Sequence, residues 1–159
     1  METSPVLLDQ FRVVYTSESP WQEEHEHILL MACSDPRFRE ATKEFMENHV
    51  GATRYDPLII PGGPAQILLS SSIFFAIQPL AQLLHRAHEL KKVIAMAHHG
   101  CMYYRTKYPR LTEGELQRLQ VLDLLECKKV TEKLVARAEV KLYFAQPRDG
   151  HVRFIAVEE

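Results

Sequence analysis

The sequence predicts an α/β protein, and three observations predict it. Two short apolar runs, Ile28-Leu29-Leu30-Met31-Ala32 and Val93-Ile94-Ala95-Met96-Ala97, have the length and composition of strands buried on both faces. Segments with a helical spacing of apolar residues lie between and after them. Near the C-terminus, Val140 to Ala145 and Val152 to Val157 flank the turn Pro147-Arg148-Asp149-Gly150, the pattern of a terminal hairpin on a sheet edge.

At 159 residues the chain fits one domain, residues 1–159, able to close a core without staples. Its 46% hydrophobic and 25% charged residues are those of an ordinary globular protein. A net charge of -2 gives no basic excess for nucleic acid, and no run approaches the apolar length of a membrane span. The N-terminus lacks a basic region followed by an apolar core, so no secretory leader is expected. Three cysteines, an odd number, point to reduced thiols in a cytoplasm rather than a disulfide framework.

Taken in order, residues 1–27 form an N-terminal arm or helix. Val6-Leu7-Leu8 with Phe11, Val13, Val14 and Tyr15 suit packing on another subunit, and Thr16 to His27 is polar with the only Trp, Trp21. His25 and His27 alternate as metal ligands on a strand would, but we read them as solvated residues leading into the first strand. Arg39 to Val50 is amphipathic and stops at Gly51, and His49 near its end complements the helix dipole. Leu58-Ile59-Ile60 is a second strand, ended by Pro61-Gly62-Gly63-Pro64, whose glycines let the backbone approach a ligand or a neighbouring strand.

From Gln66 to Leu90, Leu69, Ile73, Ile77, Leu80 and Leu84 keep a helical period, with Ser70-Ser71-Ser72 as possible caps and Pro79 expected to kink or reset the helix. His85 and His88 near its end read as surface residues, the alternative being a metal pair. Tyr103, Tyr104, Tyr108 and Pro109 form an irregular aromatic segment that packs under the next helix. Thr112 and Glu115 make a capping box for that helix, which is long and reaches about Ala138; Cys127 on it is a small, partly buried side chain.

The chemistry concentrates where the two buried strands end. Cys33-Ser34-Asp35-Pro36-Arg37 follows the first and His98-His99-Gly100-Cys101 the second. In an open parallel sheet the carboxyl ends of neighbouring strands face one crevice, so these stretches can meet. Cys33, His98 and Cys101 then offer two thiolates and an imidazole, a three-ligand catalytic zinc set with an open position for water. Asp35 either ligates the metal or accepts a hydrogen bond from its water, and Arg37 holds that carboxylate ionised.

At these residues the chain resembles the beta class of carbonic anhydrases, which carry C-x-D-S-R after the first strand and H-x-x-C after the third. The resemblance extends from about Ile28 to the end. It implies a mostly parallel central sheet flanked by helices with a terminal edge hairpin, and one zinc per chain on Cys33, His98 and Cys101. It implies Asp35 and Arg37 as the catalytic dyad, and a homodimer or higher homo-oligomer. It also implies a small-molecule substrate: reversible hydration of carbon dioxide to bicarbonate by zinc-bound hydroxide, a carbonate dehydratase (lyase) activity. Pro36, Ala97 and Met102 replace the family's usual Ser, Gly and Gly, and Gln22 is the nearest match to its substrate-pocket Gln.

Three other readings use the same residues. Relatives with this ligand set hydrolyse carbonyl sulfide or carbon disulfide. A catalytically inert zinc-binding member would keep the ligands without turnover. Cys33 to Arg39 also fits the C-x5-R loop of cysteine phosphatases, with Asp56 as general acid, although Asp35 would repel a phosphate and the loop lacks inward-aiming glycines.

Overall fold

The computed structural model describes residues 11–158. Its five-stranded sheet has the order β2-β1-β3-β4-β5, with β1 Ile28–Cys33, β2 Asp56–Ile60, β3 Lys92–His98, β4 Glu139–Arg148 and β5 His151–Ala156. β2, β1, β3 and β4 run parallel, and β5 returns antiparallel along β4. This is the mostly parallel sheet with an edge hairpin that the sequence predicts. Asp149 (φ 51°) and Gly150 (φ 77°) occupy the left-handed region between paired Arg148 and His151, as a two-residue primed turn requires.

Alternation along the inner strands divides the core into two faces. Leu29, Met31, Val93, Ala95, Ala97, Leu142 and Phe144 belong to one apolar cluster, and Leu30, Ala32, Ile94, Met96, Tyr143 and Ala145 to another. Because both faces are covered, these strands read as continuous apolar runs rather than as alternating ones. α1 (Arg39–Phe45), continued by a π-turn over Met46–Val50, covers the second face with Phe45 and Met46. α2 (Gln66–Leu69), α3 (Ser71–His88) and α5 (Glu113–Leu134) cover the first with Ile67, Ile77, Ala81, Leu124 and Cys127. α4 (Met102–Lys107) joins the site to α5.

Four details differ from expectation. The helix foreseen from Gln66 to Leu90 breaks at Ser70, where φ -136° and ψ 107° turn the chain by 117° and the Ser70 hydroxyl caps α3 at the Ile73 N–H. α3 then runs uninterrupted through Pro79, since Pro79 and Phe75, the residue four earlier whose carbonyl loses its partner, are both exposed and water can serve that oxygen. The tyrosine segment is helical at Met102–Lys107, and Tyr104 is buried with its hydroxyl donating to Asp123 Oδ2 at 2.6 Å. Cys127 is fully rather than partly buried; its thiol donates to the Pro64 carbonyl at 3.1 Å, and burial pushes its pKa up to about 12.

Residues 11–27 carry neither helix nor strand, and Phe11, Val13, Val14, Tyr15 and Trp21 are exposed; Val6-Leu7-Leu8 lie outside the described residues. Among the described residues no single helix is long and apolar enough to cross a membrane.

Candidate metal centre

Strand order places the chemistry. β1 connects outward to β2, whereas β3 connects the other way to β4, so the direction of winding reverses between β1 and β3. Loops leaving such a reversal point diverge and open a crevice at the carboxyl ends of the strands. Cys33 ends β1 and His98 ends β3. A tight turn with Gly100 at φ 68° then brings Cys101 back as the N-cap of α4.

The ligand atoms of Cys33, His98 and Cys101 all lie within 4.8 Å of one another. The two sulfurs are 4.0 Å apart and unbonded, close to the roughly 3.8 Å that two thiolates at 2.3 Å from one tetrahedral ion would adopt. His98 is 4% exposed and its ring packs on Phe38, with centroids 4.4 Å apart. Its Nδ1 lies 2.9 Å from the His99 carbonyl, which accepts only if Nδ1 carries the proton, so Nε2 presents a lone pair. Among the described residues that Nε2 is buried without a hydrogen-bond partner. A buried imidazole nitrogen beside two thiols is the situation a soft or borderline metal ion resolves, and the donor set fits zinc.

The two thiols lie within hydrogen-bonding distance of each other and their pKa values move in opposite directions. Cys33 is lowered to about 4, first because the Cys101 thiol hydrogen-bonds to it, with help from the Gly62 N–H, whose nitrogen is 3.3 Å from the sulfur. Cys101 is correspondingly raised by Cys33 and by burial, while the N–H groups of Tyr103 and Tyr104 favour its ionised form.

Asp35 stands over this cluster, its Oδ2 4.0 Å from His98 Nε2. Arg37 grips it from the side: Nη2 to Oδ2 is 2.6 Å and Nε to Oδ1 is 3.0 Å, and the Arg37 N–H adds a third donor at 3.0 Å. These bonds, above all those from the guanidinium, hold the Asp35 carboxyl below the usual carboxylate range. Arg37 Nη2 also donates to the Gly100 carbonyl at 3.1 Å, tying the two loops together. Pro36, the substituted position, sits at the first turn of a 3-10 helix (Pro36–Phe38) whose N-cap is Asp35. A first-turn residue has no intrahelical use for its N–H, so proline costs the loop nothing there.

Residues without a motif support the turn. Glu113 Oε1 accepts the Gly100 N–H at 3.0 Å, and its carboxylate pairs with Arg105 and lies 3.3 Å from His99 Nδ1. Buried Gln120 donates to the His98 carbonyl at 2.9 Å. Both come from α5, and the only advance signal was an uncharged amide on an otherwise apolar helix face.

A cavity of about 420 Å³ opens beside Cys33, lined by Ala32, Ser34, Asp35, Phe38, Arg39 and Lys43 among others. Met102 is 69% exposed and outside its lining. Gln22 accepts from Arg54 Nη1 at 2.6 Å, beyond the opposite end of β2, and takes no part in the cavity. Asp56 opens β2 opposite Leu29, whereas Cys33 pairs with Ile60 at its other end, so Asp56 cannot serve a phosphatase loop built on Cys33.

No family model matches the sequence, and no curated protein does. Solved structures do match the fold. The beta-carbonic anhydrase CafA of the fungal pathogen Aspergillus fumigatus superposes with TM-score 0.56 and 17% identity over 86% of this chain and 78% of that one. The carbonic anhydrase from Streptococcus mutans gives 0.55 and 13% over 91% and 88%. A tetrameric beta-carbonic anhydrase from the filamentous ascomycete Sordaria macrospora gives 0.54 and 15% over 84% and 82%. The chain has the fold of the beta-carbonic anhydrases.

Proposed function

We propose that the protein is a zinc-dependent carbonic anhydrase that interconverts carbon dioxide and bicarbonate. The observation that carries this reading is the buried, unpartnered His98 Nε2 beside the Cys33 and Cys101 sulfurs, under an arginine-gripped carboxylate. Cys33, His98 and Cys101 would hold one zinc per chain. Zinc on such a set supplies the Lewis acidity that lets water lose a proton near neutral pH.

The chain's own residues do the rest. Asp35, kept ionised by Arg37, accepts a hydrogen bond at Oδ2 and donates none, so a reacting hydroxyl turns its hydrogen toward Asp35 and a lone pair away from it. Ala32, Phe38 and Ile59 give the cavity an apolar wall for neutral carbon dioxide, and Arg39 and Lys43 in the same lining complement the charge of bicarbonate. Reduced, paired thiols suit a cytoplasmic setting. The edge of β2, unpaired among the described residues, and the exposed apolar residues Phe75, Leu80 and Leu83 support a homodimer or higher homo-oligomer.

The test measures zinc per chain and stopped-flow carbon dioxide hydration on purified protein. Wild type should carry one zinc and turn over; Cys101→Ala should lose both; Asp35→Asn should keep zinc and lose about 10²-fold in kcat. Wild type that binds no zinc, or that binds it fully and hydrates nothing, overturns the proposal.

A further inference from the structure

We propose that His25, Asp56 and His88 form a second metal site, for a divalent cation of the zinc, cobalt, nickel or copper type, at the end of the sheet remote from the Cys33 loop. It does not rest on the function proposed above. Two of its residues come from histidine pairs that look unrelated in sequence, one in the polar N-terminal stretch and one at the end of α3. The fold brings them together.

Three separate elements contribute. Asp56 is the first residue of β2 and His88 the last of α3, while His25 lies on the segment before β1. His88 Nδ1 is 2.7 Å from Asp56 Oδ2, and the His25 ring stacks on that of His88 with centroids 3.8 Å apart and planes 18° from parallel. The ligand atoms of all three lie within 4.8 Å of one another. Asp56 pairs with Leu29 at the start of β1 and Cys33 ends that strand, which separates the two centres by roughly 13 Å at 3.3 Å per residue. One ion cannot serve both.

An aspartate–histidine hydrogen bond would by itself explain Asp56 and His88. It leaves His25 unexplained, because that ring makes no hydrogen bond among the described residues yet is held face to face with His88. The hold is built from both flanks. Glu26 Oε2 accepts the N–H groups of Thr53 and Arg54 at 2.6 and 2.7 Å, and Arg54 also reaches Gln22 and the Glu24 carbonyl. On the other flank, His27 Nδ1 lies 2.6 Å from the His88 carbonyl, and the His27 carbonyl accepts from Lys91 and Lys92. His27 itself is kept at φ 60°, a left-handed conformation costly for a residue with a side chain. This strained link fixes how the His25 segment enters β1.

The donor set is chemically specific. Two neutral imidazoles and one carboxylate suit borderline divalent metals and leave positions for water. Nitrogen and oxygen ligands of one tetrahedral ion stand about 3.3 Å apart, so metal entry would widen the 2.7 Å His88–Asp56 contact slightly, draw the wider pairs together, and turn the exposed His25 ring out of the stack so that its lone pair converges with that of His88. Occupancy would clamp residues 22–27 onto the ends of β2 and α3.

Cobalt(II) titration of the full-length protein separates the centres, because cobalt on Cys33 and Cys101 gives a thiolate charge-transfer band and cobalt on histidine and carboxylate does not. Wild type should bind one cobalt that adds no such band and shifts the emission of Trp21, four residues before His25. His25→Ala and His88→Gln should each weaken that ion at least tenfold and abolish the Trp21 response, with the charge-transfer band unchanged. His25 is exposed, so its truncation should leave the fold intact, which circular dichroism checks. A wild type that binds no cobalt outside the thiolate site, or a His25→Ala protein that binds this ion as well as wild type, overturns the proposal.

Discussion

Gly63 positions Cys33 by having no side chain. A Cβ there would stand 2.8 Å from the Cys33 nitrogen and 3.0 Å from the Ala32 carbonyl carbon, both backbone atoms, and its φ of 58° is left-handed. Gly63→Ala should therefore destabilise the protein by more than the roughly 1–2 kcal/mol of the conformation alone and displace the thiol. Thermal unfolding and zinc affinity should both fall. The Gly-Gly pair was legible as a close approach, but which backbone approached was not, because that depends on β1 and β2 being parallel neighbours. The same holds for the proposed ligands. Cys33, His98 and Cys101 were readable because each ends a buried strand or follows it by one tight turn, whereas Glu113 and Gln120 act on backbone atoms of that turn and leave no spacing of their own. Helix and loop context makes His25, His85 and His88 look like surface residues; only the tertiary fold stacks His25 on His88.

Element boundaries show where local chemistry outweighed a longer pattern. Ser70, not Pro79, interrupts the helical period, since a serine hydroxyl can satisfy the N–H groups of a new helix while an exposed proline merely removes one bond that water replaces. The capping box of α5 forms as its residues predict: Thr112 accepts the Glu115 N–H at 3.3 Å, and Glu115 Oε2 accepts the Thr112 N–H at 2.7 Å. That backbone N–H and the Thr112 hydroxyl hold the Glu115 carboxyl below its ordinary value. A carboxyl lowered in the folded state stabilises above its unfolded pKa, near 4.3, and that contribution disappears as pH falls through the lower folded value. Wild type should thus be more stable than Glu115→Gln at pH 7, and urea unfolding should show the difference shrinking steadily below about pH 4. The end of α5, four residues short of Ala138, carries no glycine or proline to announce it; the chain leaves at Val135 to enter β4.

At the scale of the molecule, the sheet was legible because burial on both faces imposes continuous apolar runs, and the terminal hairpin because its turn residues must adopt positive φ. Strand order was not, since nothing local says that β3 adds beside β1 rather than β2. That order creates the crevice at one end of the strands and leaves the Asp56–His88 pair at the other, so the Cys33–His98–Cys101 group and this pair stand at opposite ends of one scaffold. The 4.0 Å gap between the Cys33 and Cys101 sulfurs has a further consequence, in redox terms. Without a cation between them, the two thiols are close enough for an oxidant such as diamide to take two electrons and two protons and join them, stapling the end of β1 to the turn after β3. Oxidised apoprotein should take up no zinc at this centre until dithiothreitol is added, and protein loaded with zinc beforehand should resist oxidation; thiol titration before and after metal loading measures both. The spacing that suits a metal thus makes the centre sensitive to its surroundings when it holds none, and a bound ion would double as the protecting group of the sulfurs holding it.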